Sequence, residues 1–268
     1  MDNRPIGVFD SGFGGLTAVR ALRRLLPEED IVFFADTGRM PYGPRPVPQL
    51  RRMARQDLDT VESFGVKLVL AACGTVSSNA PDVLADDPVP CVGVLDASVR
   101  AIASERERGP IGMIATEATV RSGAFTRALE SACPDRACLA VPCPDFVPLI
   151  ESGHYAASDP LVRAAAELYL APLRDAGVRT LLLGCTHYGL MAEAIQAYMG
   201  DGVRLVEASV CAAEAVGELL RRQDRLANGG GMLRCLTSGD AAVFAAHAPL
   251  FLGEATLPEI RQIPVMEV

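Results

Sequence analysis

The 268-residue chain has no tryptophan, only 5% aromatic residues and a single lysine, Lys67. Its core must therefore be assembled from aliphatic side chains within a 50% hydrophobic composition, the profile of an ordinary α/β protein. Basic residues are in deficit, 25 Lys and Arg against 33 Asp and Glu, for a net charge of -8. The densest basic group, Arg45 to Arg55, is diluted by prolines, so the clustered footprint of a nucleic-acid binder is missing. No apolar run reaches the roughly 18 residues that mark a membrane span, and the N-terminal MDNRPIGVFD has no stretch of signal-peptide length. These absences point to a cytoplasmic chain without nucleic-acid or membrane partners. The eight cysteines lack the dense, regular spacing of a secreted disulfide framework. Cys133, Cys138 and Cys143 recur evenly, but not in the CxxC-type pairs of structural zinc sites, and no metal is expected.

What is present is alternation. Short apolar runs (IGVF, IVFFA, KLVLAA, PCVGVL, then IGMIA, ACLAV, TLLLG, VRLVE, MLRCLT) are separated by longer amphipathic segments, the signature of parallel sheets with crossover helices. Helix-boundary signals fall between them. Asp96-Ala97-Ser98 can cap a helix after VGVL, Ser158 and Asp159 precede Pro160 at a first helical position, and Gly177 can close that helix.

A weak duplication organises the whole. IGVFDSGFGGLTAVRAL from Ile6 aligns with IGMIATEATVRSGAFTRAL from Ile111, setting Ser11 against Thr116, and KLVLAACGT from Lys67 aligns with RTLLLGCTH from Arg179. The expected fold is two similar parallel-sheet α/β domains related by pseudo-two-fold symmetry, with the site in the cleft between them. The expected boundaries are 1–96 plus 206–268 for the first domain and 97–205 for the second, the RLVE strand and the residues after it returning to the first sheet.

Ligands of open parallel sheets bind beyond the carboxyl ends of the strands. Cys73 and Cys185 end equivalent strands, so facing copies would bring both thiols into one cleft. A thiol at a strand-to-helix junction has helix amides beside it, which favour thiolate, and a lowered thiol pKa makes a usable base. Thr75 and Thr186 add hydroxyls and amides at the same turns. A matched acid and base on opposite sides of one carbon suit racemisation or epimerisation. Pyridoxal phosphate is the usual cofactor for amino-acid racemisation, held by a lysine, but Lys67 starts its strand, at the wrong end for the site. GFGG at 12–15 fails the dinucleotide pattern GxGxxG, so these glycines read as a tight turn near a small ligand. Two other classes stay open: a thiol hydrolase or lyase built on Cys185-Thr186-His187, which would not need Cys73, and a binding protein that has lost its chemistry.

Taken together, VFDSGFGGLTAVRAL, FADTGRMPYG, CGT at 73–75, GMIATEATVRSGAF, CPDFVPLIESG and LGCTHYGL resemble the cofactor-independent glutamate racemases of the aspartate/glutamate racemase superfamily. The resemblance implies conversion of L-glutamate to D-glutamate for peptidoglycan, with no cofactor, in a homodimer. It implies that Cys185 removes the proton from L-glutamate and Cys73 returns one to the opposite face, with Asp10 assisting Cys73 and His187, supported by Glu151, assisting Cys185. It also places Asp10, Ser11, Tyr42, Gly43, Gly74, Thr75, Thr186 and His187 at substrate contacts. The chain departs from the pattern at Gly74, where Asn is usual, and at Asp96, Gly189 and Glu207, where Pro, Pro and Asp are common. Gly74 motivates the alternative of a relative acting on aspartate or another amino acid.

Overall fold

The computed structural model describes residues 1–254 and 259–265. Residues 255–258 and 266–268, which the expected first domain included, lie outside them. Three strands form the centre of the first sheet: Ile6–Asp10 (β1), Ile31–Ala35 (β2) and Leu68–Ala71 (β3), each buried along its whole length. Continuous burial is what a strand covered by helices on both faces requires. Cys91–Gly93 (β4) lies at one edge. The second sheet holds Ile111–Ala115 (β5), Cys138–Pro142 (β6), Thr180–Leu183 (β7) and Arg204–Glu207 (β8). Leu233–Thr237 (β9) and Ile260–Gln262 (β10) then rejoin the first sheet.

Among the described residues the strand orders are β10-β9-β2-β1-β3-β4 and β6-β5-β7-β8, and all ladder pairings are parallel. The two sheets share a four-strand unit, β2-β1-β3-β4 matching β6-β5-β7-β8. This corrects the expectation for RLVE. As β8 it pairs with β7, Leu183 against Glu207, because it is the counterpart of β4 and completes the second copy of the unit. The chain returns to the first sheet only at β9.

Helix Leu16–Leu25 (α1) buries Leu16, Ala18, Val19 and Leu22 and carries Arg23 and Arg24 in its last turn, where positive charge complements the helix dipole. It packs against the helix Ala208–Arg222, which also packs against Val94–Ala103, so one apolar cluster runs from Ile6 and Phe33 through Leu95 to Leu181 and Val206. The helix Val47–Glu62 (α2) covers the other face of the first sheet with Met53, Ala54 and Leu58 against Phe9, Phe34 and Val69.

Helix boundaries follow the local signals with one exception. Asp159 accepts from the Leu161 amide and Pro160 opens its helix, while Gly177 takes the left-handed φ of 68° beyond its end. Asp96, expected as a cap, instead lies in the first turn of Val94–Ala103, whose cap is Gly93. Its charge there still favours the helix N-terminus.

Candidate active site

Both cysteines stand two residues beyond a strand end. After β3 come Ala72 and Cys73, and after β7 come Gly184 and Cys185. The intervening amides make the same hydrogen bond in each lobe, Ala72 to the Phe9 carbonyl at 2.9 Å and Gly184 to the Ile114 carbonyl at 2.8 Å. The two thiols therefore occupy equivalent positions on the two copies of the unit. Ser11 after β1 and Thr116 after β5 are equivalent in the same way.

These turns enclose a cavity of about 520 Å³, lined by Cys73 and Cys185 together with Asp10, Ser11, Tyr42, Gly43, Gly74, Thr75, Thr186 and His187. Each residue expected at the site thus borders one space. Thr116, Thr119, Cys143 and Val147 border it as well. Sequence reasoning passed over them, although the alignment of Ser11 with Thr116 carried a signal for that hydroxyl.

Asp10 is buried at the end of β1, accepting from the Gly12 amide at 2.8 Å and from the hydroxyls of Ser11 and Thr186, each at 3.4 Å. Burial pushes its carboxyl up to about 6, although the His187 charge and these donors pull the other way. Cys73 lies 3.5 Å from the Ser11 hydroxyl and caps the short helix Gly74–Asn79 (α3). Its thiol is not lowered as a helix start would suggest. Burial, followed by the neighbouring Asp10 carboxylate, raises it to about 12.

On the other side Cys185 faces His187, Sγ to Nδ1 at 3.9 Å, and His187 Nε2 meets Glu151 Oε1 at 3.1 Å. Burial alone would disfavour the imidazolium, but Cys185, Glu151 and Asp10 outweigh it and lift His187 to about 10. Phe251 closes the ring from the side, edge-on at 5.1 Å. The chain after Cys185 does not enter an α-helix directly. A 3₁₀ turn, Tyr188–Met191, comes first and Ala192–Met199 comes after it, so Cys185 does not share the helix-start setting of Cys73.

The glycine turn does bring backbone close to the site. A Cβ on Gly14 would lie 2.2 Å from Thr186 Oγ1 and 2.4 Å from His187 Nδ1, so only glycine lets α1 start this near the other lobe. Tyr42 borders the cavity, but its hydroxyl is committed to Asp36 and, at 2.8 Å, to Asp57, which are both buried, with Arg39 bridging the two carboxylates. These bonds anchor the Tyr42 loop to α2 through Asp57. Met40-Pro41 in this loop is cis.

Two departures from the racemase pattern meet in space. A Cβ on Gly189 would lie 2.4 Å from Glu207 Oε2, so the missing side chain makes room for a glutamate one methylene longer than the usual aspartate. Lys67 is fully buried in an ion pair with Glu29 at 2.6 Å and donates to the carbonyls of Asp2 and Arg225. His154 pairs with Asp159 at the surface. His247 lies in the helix Ala241–Leu252 and stacks on Phe13 at 4.7 Å. Among the described residues no group of three or more His, Cys, Asp or Glu is placed to hold a metal ion, and no helix is long and apolar enough to cross a membrane.

Two thiols thus border one cavity, in corresponding turns of a duplicated unit. Residues 17–216 match the family model described as Asp/Glu/Hydantoin racemase. A glutamate racemase of Beutenbergia cavernae is 41% identical, the match covering 98% of this chain and 93% of that protein. The crystal structure of Thermus thermophilus glutamate racemase in complex with β-chloro-D-alanine superposes with a TM-score of 0.87 at 39% identity, covering 98% of each chain. That of the Francisella tularensis enzyme in complex with D-glutamate gives 0.89 at 32% identity, covering 99% of this chain and 98% of that one. The chain belongs to the Asp/Glu/Hydantoin racemase family.

Proposed function

We propose that this chain, an isomerase of the amino-acid racemase type, interconverts L- and D-glutamate by a two-base reaction needing no cofactor. The observation that carries the reading is the equivalence of Cys73 and Cys185, each two residues past a matching strand and both bordering the same cavity. With L-glutamate bound, the Cys185 thiolate takes the α-proton, the electrons of the C–H bond stay on the carbon, and the Cys73 thiol gives a proton to the opposite face. The thiolate and thiol have then exchanged places, ready for the D-isomer. His187 holds positive charge beside Cys185, Sγ to Nδ1 at 3.9 Å. In this reading Asp10 draws the proton from Cys73 when that thiol must act as the base, and Ser11, which lies 3.5 Å from the Cys73 sulfur and 3.4 Å from Asp10, stands between the two.

The high Cys73 pKa fits this assignment, since a protonated Cys73 is the form needed against L-glutamate. An incoming α-ammonium group beside Asp10 and Cys73 would lower the cost of a thiolate there, because an opposite charge within a few ångströms favours the ionised form. Lys67, locked in its pair with Glu29, is no candidate for a Schiff base. The biological role in this reading is supply of D-glutamate for peptidoglycan by a cytoplasmic homodimer.

The test is incubation of the purified protein, without added cofactor, with a panel of L- and D-amino acids in heavy water, following α-proton exchange and optical rotation. Glutamate is expected to exchange and racemise. Turnover of aspartate in its place would support the alternative that Gly74 motivated, and exchange with no amino acid would end the racemase reading.

A further inference from the structure

Gly74 stands where the racemases that the sequence resembles carry asparagine, and the resemblance alone would treat it as a lost substrate donor. The geometry describes a different role. A Cβ on Gly74 would lie 2.5 Å from the carbonyl oxygen of Gly184, 3.7 Å from its carbonyl carbon and 3.9 Å from Thr119 Oγ1. Gly74 opens α3 on the first lobe and directly succeeds Cys73. Gly184 follows β7 on the second lobe and directly precedes Cys185.

The obstructing atom is backbone, and it has little freedom to move. The Gly184 amide is tied to the Ile114 carbonyl at 2.8 Å, and its own Cβ position is hemmed in by the Ile114 oxygen at 3.1 Å and Ala115 Cβ at 3.2 Å. Beside it, Thr75 Oγ1 meets Thr116 Oγ1 across the lobes at 3.3 Å. The turn bearing one thiol is thus seated directly on the residue before the other, through a gap that admits no side chain.

We propose that Gly74 is a positioning residue for closure: its bare backbone sets how near the Cys73 turn comes to the Cys185 turn, and asparagine here would act as a spacer. This rests on the racemase reading. Racemisation needs both sulfurs in reach of one α-carbon, and a misplacement of about 1 Å can cost on the order of a hundredfold in rate. A spacer should therefore uncouple the two half-reactions. One thiolate still takes the α-proton, exchanges it with solvent and returns it to the same face, while delivery from the opposite thiol fails.

The experiment compares wild type, Gly74→Ala and Gly74→Asn with L- and D-glutamate in heavy water, measuring deuterium incorporation with retention and with inversion separately. Inversion is expected to fall in the order of side-chain size, by about a hundredfold for Gly74→Asn, while exchange with retention falls less, so the ratio of retention to inversion rises. Inversion by Gly74→Asn at or above wild type would overturn the proposal, as would a parallel fall of both processes, which is mere loss of active protein. If Gly74→Asn does not fold, the single methyl of Gly74→Ala carries the same comparison. A wild type that exchanges no amino acid overturns the racemase reading instead, so the two failures are distinguishable.

Discussion

Thr186 donates its hydroxyl to Asp10 at 3.4 Å, joining the turn after β7 in one lobe to the end of β1 in the other. The Thr17 hydroxyl bonds the Thr186 carbonyl at 3.1 Å from the same side. The Asp10 carboxylate, near Cys73, is thus held by the residue next after Cys185. Proton affinities on the two sides of the cavity are linked by charge as well, since His187 pulls Asp10 down and Asp10 lifts His187.

The pH dependence is set by those shifts. kcat/KM is expected to climb as pH rises through about 6, where Asp10 ionises, and to fall near 10 as His187 loses its proton. Asp10→Asn should abolish the acid limb. Stability moves differently. Folded Asp10 binds its proton more tightly than unfolded Asp, so stability declines as pH rises from 3.8 through about 6. The raised His187 pKa contributes stability that is full below 6.5 and lost as pH rises through about 10. A pH-rate profile and a pH series of denaturant midpoints check the two sets of signs.

Cys73→Ser and Cys185→Ser should each lower racemisation by about a hundredfold or more, the usual worth of a positioned acid or base. Cys73→Ser should still exchange the α-proton of L-glutamate, and Cys185→Ser that of D-glutamate. Full activity in either variant would contradict the two-base assignment. Proton NMR in heavy water tracks each enantiomer separately.

Lys67 is expected to matter for stability and not for chemistry. Lys67→Met leaves Glu29 buried without its cation and should cost about 3 to 5 kcal/mol, read as a lowered urea midpoint. The kcat of the folded fraction should stay unchanged. Pairing the substitution with Glu29→Gln should recover part of the loss, because neither charge is then orphaned.

Gly189→Ala should destabilise by about 1 kcal/mol through overpacking against Glu207. In the background of Glu207→Asp, whose carboxylate is one methylene shorter, the same change should be nearly neutral. A double-mutant cycle that gives no coupling would show the two departures to be independent.

Much of this molecule is legible in its residues because the information is local. Apolar runs bounded by turn residues specify strands, their continuous burial specifies parallel sheets, and the repeated segments place Cys73 and Cys185 at matching strand ends. Asp159, Pro160 and Gly177 set their helix ends through side-chain capping and backbone preference that need no distant partner. The RLVE strand is different. Nothing within its four residues distinguishes one sheet edge from the other, and its place beside β7 depends on which unit still lacks a fourth strand.

The same division holds at the site. Which residues border the cavity can be told from residue type and position along the chain, whereas the surroundings each one meets there depend on neighbours far away in sequence. Burial beside Asp10 turned the Cys73 thiol upward where a helix start argued downward, Asp36 and Asp57 took the Tyr42 hydroxyl, and the Gly184 carbonyl filled the space a side chain on residue 74 would need. Periodicity and turn chemistry are written into consecutive residues, but dielectric, charge pairing and excluded volume exist only once the chain has folded on itself.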